Sequence, residues 1–362
     1  MNKLISDIRE LLKKALDNKV IDALLLPVKV PAGDSYSWVI LKDDKLLEKA
    51  SPIPPVISVQ GARAISSLTR RGKLDFKIAT FMRPCEARAT IELAKLAQAD
   101  LDDVVLITFD CPGAIELKKY TEKPEEVEKE FSELMGNWES DVIRTICKMC
   151  DKFTCVDDGF ATDLHIGLIG LNGKMAFIPR TEKGKKFLSG LGLKSEENLN
   201  DWEKKSRELI EKKRNKRKEL QNKLKPQVVG LDALSKTFAK CINCRICRSV
   251  CPICYCRQCY FDSEKLKFTP DDYLIRAEKS GGIKFLPDTL LFHLGRMTHM
   301  ALSCVSCGTC EDACPMDIKV AQIFSIVGDN VQKLFEYVPG RKLDEPLPLT
   351  VYKEEEFKEL EV

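Results

Sequence analysis

The sequence contains one cysteine motif twice, and this repeat constrains the chain more than any other feature. The copies run from Cys241 to Pro252 and from Cys304 to Pro315, both with the spacing CxxCxxCxxxCP. In this motif three closely spaced thiolates bind one cubane, while the fourth, before the proline, binds the cluster of the other copy. The repeat therefore predicts two 4Fe-4S clusters. Cluster I is expected on Cys241, Cys244, Cys247 and Cys314, and cluster II on Cys304, Cys307, Cys310 and Cys251.

Zinc and disulfide bonds explain the repeat less well. Zinc sites usually pair two CxxC halves rather than repeating a triple, and disulfide frameworks belong to short secreted domains. The chain has 362 residues, enough for two or three domains, and 16 of them are cysteines. Because intracellular thiols stay reduced, this cysteine content indicates metal or redox chemistry.

The remaining composition predicts a cytoplasmic protein with no direct membrane insertion and no nucleic-acid partner. The N-terminal segment reads as a charged amphipathic helix rather than a signal peptide, and no segment has the roughly 20 apolar residues of a membrane helix. The 58 basic and 55 acidic side chains give a formal charge of only +3. That balance offers no electrostatic footprint for nucleic acid.

The first 175 residues alternate helical and strand patterns. Strands are predicted at 21–28, 76–81 and 104–109, and helices at 5–12, 62–69 and 85–97. This βαβ order is typical of an α/β domain with a mostly parallel sheet.

A charged segment and a second domain follow. Residues 202–225 are almost all charged or helix-favouring, which favours a solvated connecting helix over a nucleic-acid patch, since no aromatic residues are interleaved. The two motifs are separated by 52 residues with helical patterns at 270–276 and 287–294, so this part resembles the helical dicluster domains of heterodisulfide reductase and succinate dehydrogenase iron-sulfur subunits. The predicted organisation is an α/β domain over 1–190, a charged helical linker over 191–226, an α-helical dicluster ferredoxin-like domain over 227–342 and a tail over 343–362.

Four further cysteines lie in the α/β domain. Cys85 and Cys111 each follow a predicted strand, and Cys147 and Cys150 form a CxxC pair. Ligands gather at the carboxyl ends of strands in an open α/β sheet, which favours a third 4Fe-4S cluster here. Zinc, a redox dithiol and ordinary buried thiols remain alternatives.

The motifs around these cysteines resemble a known family. They include Arg83-Pro-Cys85, Asp110-Cys-Pro-Gly113 and Cys147-Lys-Met-Cys150, followed by motifs at 162–170 and 180–184. In this order they are similar to the beta subunit family of coenzyme F420-reducing hydrogenase and F420-dependent formate dehydrogenase, over roughly residues 20 to 190. Residues 334–341 resemble the end of members that carry a C-terminal dicluster domain. The resemblance implies bound FAD, hydride exchange with the deazaflavin coenzyme F420, and a third cluster on Cys85, Cys111, Cys147 and Cys150.

The flavin contacts are harder to place. The glycine-rich entry into the first helix of the relatives is missing here, so contacts from that segment are not carried over. Gly61 and Arg63 are candidate flavin residues because a glycine before a helix N-terminus can receive a phosphate, although a plain loop fits the segment equally well. Arg83, beside the Pro-Cys turn, is the third candidate. No catalytic residue is predicted.

Four cysteines and three histidines complete the set of candidate ligands. Cys155, Cys254, Cys256 and Cys259 could hold a fourth cubane if the two domains meet there, and a zinc site or thiols that tune cluster II are alternatives. His165 lies in an apolar strand-like run and is expected to be a satisfied core residue. His293 and His299 precede the second motif and could tune a cluster potential through a hydrogen bond.

Two functions are consistent with these patterns. In the first, the chain exchanges hydride between a soluble carrier and FAD and relays electrons through its clusters to other subunits of a heterodisulfide reductase, hydrogenase or formate dehydrogenase type of complex. In the second, the chain binds no flavin and is an electron conduit without a substrate site. The absence of a GxGxxG fingerprint leaves the carrier open between F420 and NADH, and electron bifurcation also stays open.

Overall fold

The computed structural model describes residues 2–134, 138–157, 159–263, 269–282 and 287–351. Its first part is built on a six-stranded sheet. The strands are β1 (Ala23–Lys29), β2 (Tyr36–Leu41), β3 (Ile78–Met82), β4 (Val104–Phe109), β5 (Leu164–Gly167) and β6 (Ala176–Pro179). The helices of this part are α1 (Asn2–Asp17), α2 (Asp44–Leu47), α3 (Gly61–Thr69), α4 (Pro84–Lys95), α5 (Leu117–Glu122), α6 (Pro124–Leu134), α7 (Thr145–Lys148) and α8 (Glu182–Gly190).

The sheet order is β2-β1-β3-β4-β5-β6. Strands β1, β3, β4 and β5 run parallel, while the edge strands β2 and β6 are antiparallel to their neighbours. The prediction of an α/β domain with a mostly parallel sheet is confirmed, and the structure adds the two antiparallel edges. Every residue of β3 is buried, as expected for a central parallel strand covered on both faces.

The predicted helices and strands of this domain are all present, with shifts of a few residues at their ends. Strand β4 has the predicted bounds, and helix α4 begins at Pro84, where a proline at the first helical position is favourable because its missing N–H needs no partner. The chain reverses from β3 into α4 within the Pro-Cys motif. This turn places Cys85 at the carboxyl end of the sheet.

The charged segment forms α9 (Asn200–Leu224), but one face of this helix is buried. Trp202 packs into the core of the α/β domain, and Arg217 donates to both carboxylate oxygens of Asp329 at 2.6 Å in the second part. The helix therefore contacts both parts of the chain rather than only connecting them through solvent. Lys212 and Arg214, in its most basic stretch, pair with acids of the first part.

The second part is helical, as predicted. It contains α10 (Leu231–Phe238), α11 (Ile246–Ser249), α12 (Pro270–Ser280), α13 (Pro287–Met300), α14 (Thr309–Asp312) and α15 (Val320–Leu334), with short 3-10 turns at Lys225–Gln227, Tyr260–Asp262 and Pro348–Thr350. Residues 352–362 of the predicted tail lie outside the described residues. The boundaries near 190, 226 and 342 remain predictions.

The two parts share a core. Ala89 and Leu93 of α4 pack in one hydrophobic cluster with Phe324 of α15 and Val305. Arg88 of α4 donates to the carbonyl oxygen of Pro339 at 2.9 Å, and the nearby Gly340 N–H donates to Glu92 at 2.8 Å. Helix α4, which carries Cys85, is thus held directly against the dicluster part. No helix among the described residues is both long and apolar enough to cross a membrane.

Candidate iron-sulfur site

The four cysteines of the predicted third cluster line one cavity. Cys85 comes from the start of α4, Cys111 from the end of β4, and Cys147 and Cys150 from α7 and the residues after it. The cavity has a volume of about 30 Å³ and is largely apolar apart from the thiols and a few cations. Parallel strands place their carboxyl ends at one edge of the sheet, which explains why Cys85 and Cys111 meet although 25 residues separate them.

Arg83 holds the wall of this cavity. Its guanidinium is fully buried and donates to the Cys111 thiol at 3.2 Å, to the Gly113 carbonyl at 2.6 Å and to the Pro54 carbonyl. Burial alone would lower the pKa of Arg83, but the charges of Cys111 and Glu86 raise it. The predicted flavin role of Arg83 therefore gives way to a role beside the cysteines, since all these contacts are made inside the chain.

Arg144 joins the same cavity to the dicluster part. It donates to the Cys147 thiol at 3.5 Å and to the Cys307 carbonyl at 3.0 Å, and it pairs with Asp312 at 3.1 Å. Burial raises the pKa of the Cys147 thiol, but Arg144 outweighs this effect and lowers it overall. A thiol with a lowered pKa is more readily ionised, which is the form that binds metal.

Lys213 of α9 closes another side of the cavity. Its Nζ donates to the Cys147 carbonyl at 3.1 Å and lies 4.6 Å from the centre of the Phe153 ring. Arg83, Arg144 and Lys213 thus bring positive charge to a site lined by thiols. Sequence reasoning missed Arg144 and Lys213, because their distance along the chain from the motifs gives no local pattern.

The dicluster cysteines fall into the two groups that the motif rule predicts. Burial raises the pKa of Cys247 to about 11, and the neighbouring thiols that add to this shift are Cys241, Cys244 and Cys314. The grouping includes Cys314, which lies 67 residues away in sequence.

The second group is assembled in the same way. Burial raises the pKa of Cys304 to about 12, with Cys251 and Cys307 among the contributing thiols. Burial likewise raises the pKa of Cys310, and Cys251, Cys307 and Cys304 add to the shift. The remote Cys251 therefore lies with the second motif, not with its own.

Cys307 lies at the junction between the two parts. It belongs to the second group, yet it also lines the cavity of Cys85, Cys111, Cys147 and Cys150. Burial raises the pKa of Cys85, and Cys307 is among the thiols that add to this shift. The third-cluster cysteines and the second dicluster group are therefore neighbours in space.

The remaining four cysteines are distributed over both parts. Cys254 contacts the Met300 sulfur at 3.4 Å and lowers the pKa of Cys251 through a hydrogen bond between the thiols. Cys256 is exposed, and Cys259 packs near Cys247. Cys155 is buried in the α/β domain with its thiol 3.5 Å from the Phe160 carbonyl. A fourth site shared by these residues remains a prediction. Across the described ranges, no group of three or more histidine, cysteine, aspartate and glutamate side chains is arranged to hold a single metal ion.

Two of the histidines lie where the sequence suggested. His165 is buried, and its ring nitrogens lie 2.9 Å from Thr108 Oγ1 and 3.0 Å from Asp110 Oδ1. His293 is also buried, and its Nε2 lies 3.4 Å from the Cys241 thiol. His299 is exposed.

Gly61 does not offer a free N–H to a phosphate. Its N–H donates to Glu86 at 2.8 Å, and a Cβ there would lie 2.6 Å from the Trp38 ring. The glycine is needed for this close packing. Arg63 is exposed and lines a separate groove of about 410 Å³ with Arg70, Arg248 and Arg257.

A larger cavity, which sequence reasoning missed, opens beyond the end of β5. It has a volume of about 570 Å³ and lies between the start of α1, the loop 168–174 and α9. Gly170 and Gly173 in this loop have positive φ, a conformation that favours glycine. The only sequence signal was the motif at 162–170, which ends in this loop. The cavity is lined by Lys3, Leu4, Trp138, Leu168, Ile169, Gly170, Asn172, Gly173, Lys174, Lys205, Glu208, Leu209 and Lys212.

Asp110 connects this loop to the cysteine cavity. Its Oδ2 accepts hydrogen bonds from the N–H groups of Leu168 and Ile169 at 2.6 and 3.0 Å and from Trp202 Nε1 at 2.7 Å. The next residue is Cys111. One buried carboxylate therefore fixes the loop, helix α9 and the strand end that carries a cysteine ligand.

Known proteins resemble the chain over most of its length. The family described as 4Fe-4S dicluster domain matches residues 237–318, which include both motifs. The F420-dependent formate dehydrogenase subunit beta of Methanocaldococcus jannaschii is 29% identical over 93% of this chain and 92% of its own length. The F420-dependent formate dehydrogenase 1 subunit beta of Methanococcus maripaludis is 31% identical over 91% of this chain and 89% of its own length. The chain is an iron-sulfur redox subunit and belongs to the family of F420-dependent formate dehydrogenase beta subunits.

Proposed function

We propose that this subunit binds FAD in the cavity beside β5, exchanges hydride there with coenzyme F420, and relays electrons through three 4Fe-4S clusters to or from a formate-oxidising partner subunit. The observation that carries the proposal is the position of the four α/β-domain cysteines, between this cavity and the dicluster part. When bound, the flavin converts between two-electron exchange with the carrier and one-electron exchange with the clusters.

The cavity suits a flavin nucleotide in size and charge. Its volume of about 570 Å³ lies within the range of about 300–1,000 Å³ that is usual for cofactor sites. Lys3, Lys174, Lys205 and Lys212 face it against a single acid, Glu208. The start of α1 borders it as well, and a helix N-terminus favours a phosphate.

A second hollow links the cavity to the cysteines. This hollow, of about 260 Å³, shares Trp138 and Lys212 with the larger cavity. It shares Lys213 with the cavity of the four cysteines. The proposed flavin site and third cluster are therefore separated by only a few side chains.

The chain's own residues would hold the third cluster on Cys85, Cys111, Cys147 and Cys150. Cysteine thiolates in sets of four are the ligands that 4Fe-4S clusters require. Arg83 and Arg144 lie against two of these thiols and would offset their negative charge. Cys307, at the edge of the same cavity, would place cluster II next in the sequence of electron transfer, with cluster I after it.

The carrier and partner follow from the relatives. Both curated relatives are named as F420-dependent formate dehydrogenase beta subunits, which favours F420 over NADH and a formate dehydrogenase subunit over the other partner types. A link to heterodisulfide reductase remains a further proposal.

Anaerobic purification of the full chain tests the proposal directly. We expect one FAD and about 12 irons per chain, from the stoichiometry of three cubanes, and bleaching of both flavin and clusters on mixing with reduced F420. Charge reversal at two cavity lysines, Lys174→Glu with Lys205→Glu, should lower flavin occupancy while leaving the iron content intact. Lys218→Glu on the exposed face of α9 is the control and should not change either quantity.

A contrary result is defined for each part. Purified protein with about 12 irons but no flavin, which neither reduced F420 nor NADH bleaches, would replace the enzyme by a flavin-free conduit. Tightly bound zinc with only trace iron would remove the clusters.

A further inference from the structure

Arg296 is a buried cation between the two groups of dicluster cysteines. It lies on α13 and its side chain is only 3% exposed. Its Nη2 donates to the carbonyl oxygen of Cys247, a residue of the first group, at 3.1 Å. The thiols that act most strongly on its charge are Cys247 of the first group, Cys251 and Cys310 of the second, and Cys254.

The rest of the guanidinium has no partner within the chain. Its Nε and Nη1 are buried and make no hydrogen bond among the described residues. The planar group instead lies near two aromatic rings, with its central carbon 4.8 Å from the centre of Phe324 and 5.7 Å from that of Phe292. An unpaired buried donor is costly, so these nitrogens point to a negatively charged neighbour that the polypeptide does not supply.

Arg144 shows the contrast. It occupies a similar position between the third-cluster cysteines and Cys307, but a carboxylate of Asp312 neutralises it at 3.1 Å. The charge of Arg296 is left for the sulfur atoms around it. A cubane with four thiolates carries net negative charge, and its potential depends on nearby charge and on hydrogen bonds to its sulfurs.

We propose that Arg296 sets the reduction potentials of clusters I and II together, by placing one uncompensated positive charge between them. This inference rests on the proposed cluster ligands. A buried positive charge stabilises the state of each cluster that has gained an electron, so it raises both potentials. The residue is a positioning and tuning group rather than a catalytic one.

The test is a redox titration of the anaerobically purified full chain, followed by electron paramagnetic resonance. In Arg296→Gln, both dicluster signals should titrate at a lower potential, by at least a tenfold change in the reduction equilibrium, which equals 59 mV for one electron. Arg296→Lys keeps the charge and should stay within about threefold of the wild-type equilibrium by the same conversion. Arg276→Gln, which removes an exposed arginine from α12, is the control for total charge.

The outcomes separate this inference from the proposed function. Wild-type protein without cluster signals would contradict the proposed function itself. Wild-type signals with unchanged potentials in Arg296→Gln would overturn only the role of Arg296, as would equal shifts in the Gln and Lys variants. If Arg296→Gln loses iron but Arg296→Lys retains it at wild-type potentials, the charge is confirmed as the essential property. Iron loss in both variants would assign Arg296 a packing role and overturn the proposal.

Discussion

Replacement of Asp110 should destabilise the α/β domain and empty the proposed flavin cavity. The side chain is fully buried and accepts hydrogen bonds from Leu168, Ile169 and Trp202 on one oxygen, with His165 against the other. Asp110→Ala would leave these donors without a partner. At about 1–3 kcal/mol for each unpaired buried donor, and with water able to reach the partly buried Leu168 N–H, we expect a loss of roughly 4 kcal/mol in the free energy of unfolding.

Asp110→Asn should cost less. The amide oxygen can still accept from the donors of the loop and of Trp202, but the bonds lose their charge. Because hydrogen bonds to charged groups contribute about 1 kcal/mol more than neutral ones, and burial of the charge is relieved, the expected loss is about 1–2 kcal/mol. The order wild type, Asn, Ala is therefore part of the prediction.

Urea unfolding followed by tryptophan fluorescence measures this effect, since Trp38, Trp138 and Trp202 all lie outside the dicluster motifs. Flavin content should fall in parallel, because the loop held by Asp110 lines the cavity. Asp157→Asn is the control: Asp157 is exposed and pairs with Arg207, so its loss should cost less than about 1 kcal/mol. A loss below about 1 kcal/mol in Asp110→Ala would refute the reasoning.

Three further predictions concern the clusters and the contact between the two parts. Cys314→Ser should remove about four irons and the signal of the cluster on Cys241, Cys244 and Cys247, while loss of the cluster on Cys304, Cys307 and Cys310 instead would contradict cross-ligation. Cys85→Ser should remove only the third cluster, as measured by iron content and by retention of both dicluster signals, and an unchanged iron content would exclude Cys85 as a ligand. Gly340→Ala should loosen the contact with α4, because Gly340 has φ +75° and a Cβ would lie 2.5 Å from Arg88 Cα; faster limited proteolysis after residue 334 is expected, and a wild-type cleavage rate would show that the contact tolerates a side chain.

Much of the fold follows from local patterns. The alternation of apolar strands and amphipathic helices predicted the parallel centre of the sheet, and the bounds of β4 were predicted to the residue. The edge strands β2 and β6 were missed. Both are short and only partly buried, so their sequences lack the continuous apolar run that marks a central strand.

The sequence by itself determined the type of chemistry, because the spacing of a cysteine motif dictates how many thiolates reach one cluster. It also placed Cys85 and Cys111 at strand ends, where ligands converge. Only the tertiary structure decided what surrounds these thiols. The contacts of Arg83, Arg144, Lys213 and Arg296, the cavity beside β5 and the junction at Cys307 join residues far apart in the chain. Such contacts depend on how helices pack across the sheet and between the two parts, and no local periodicity encodes that packing.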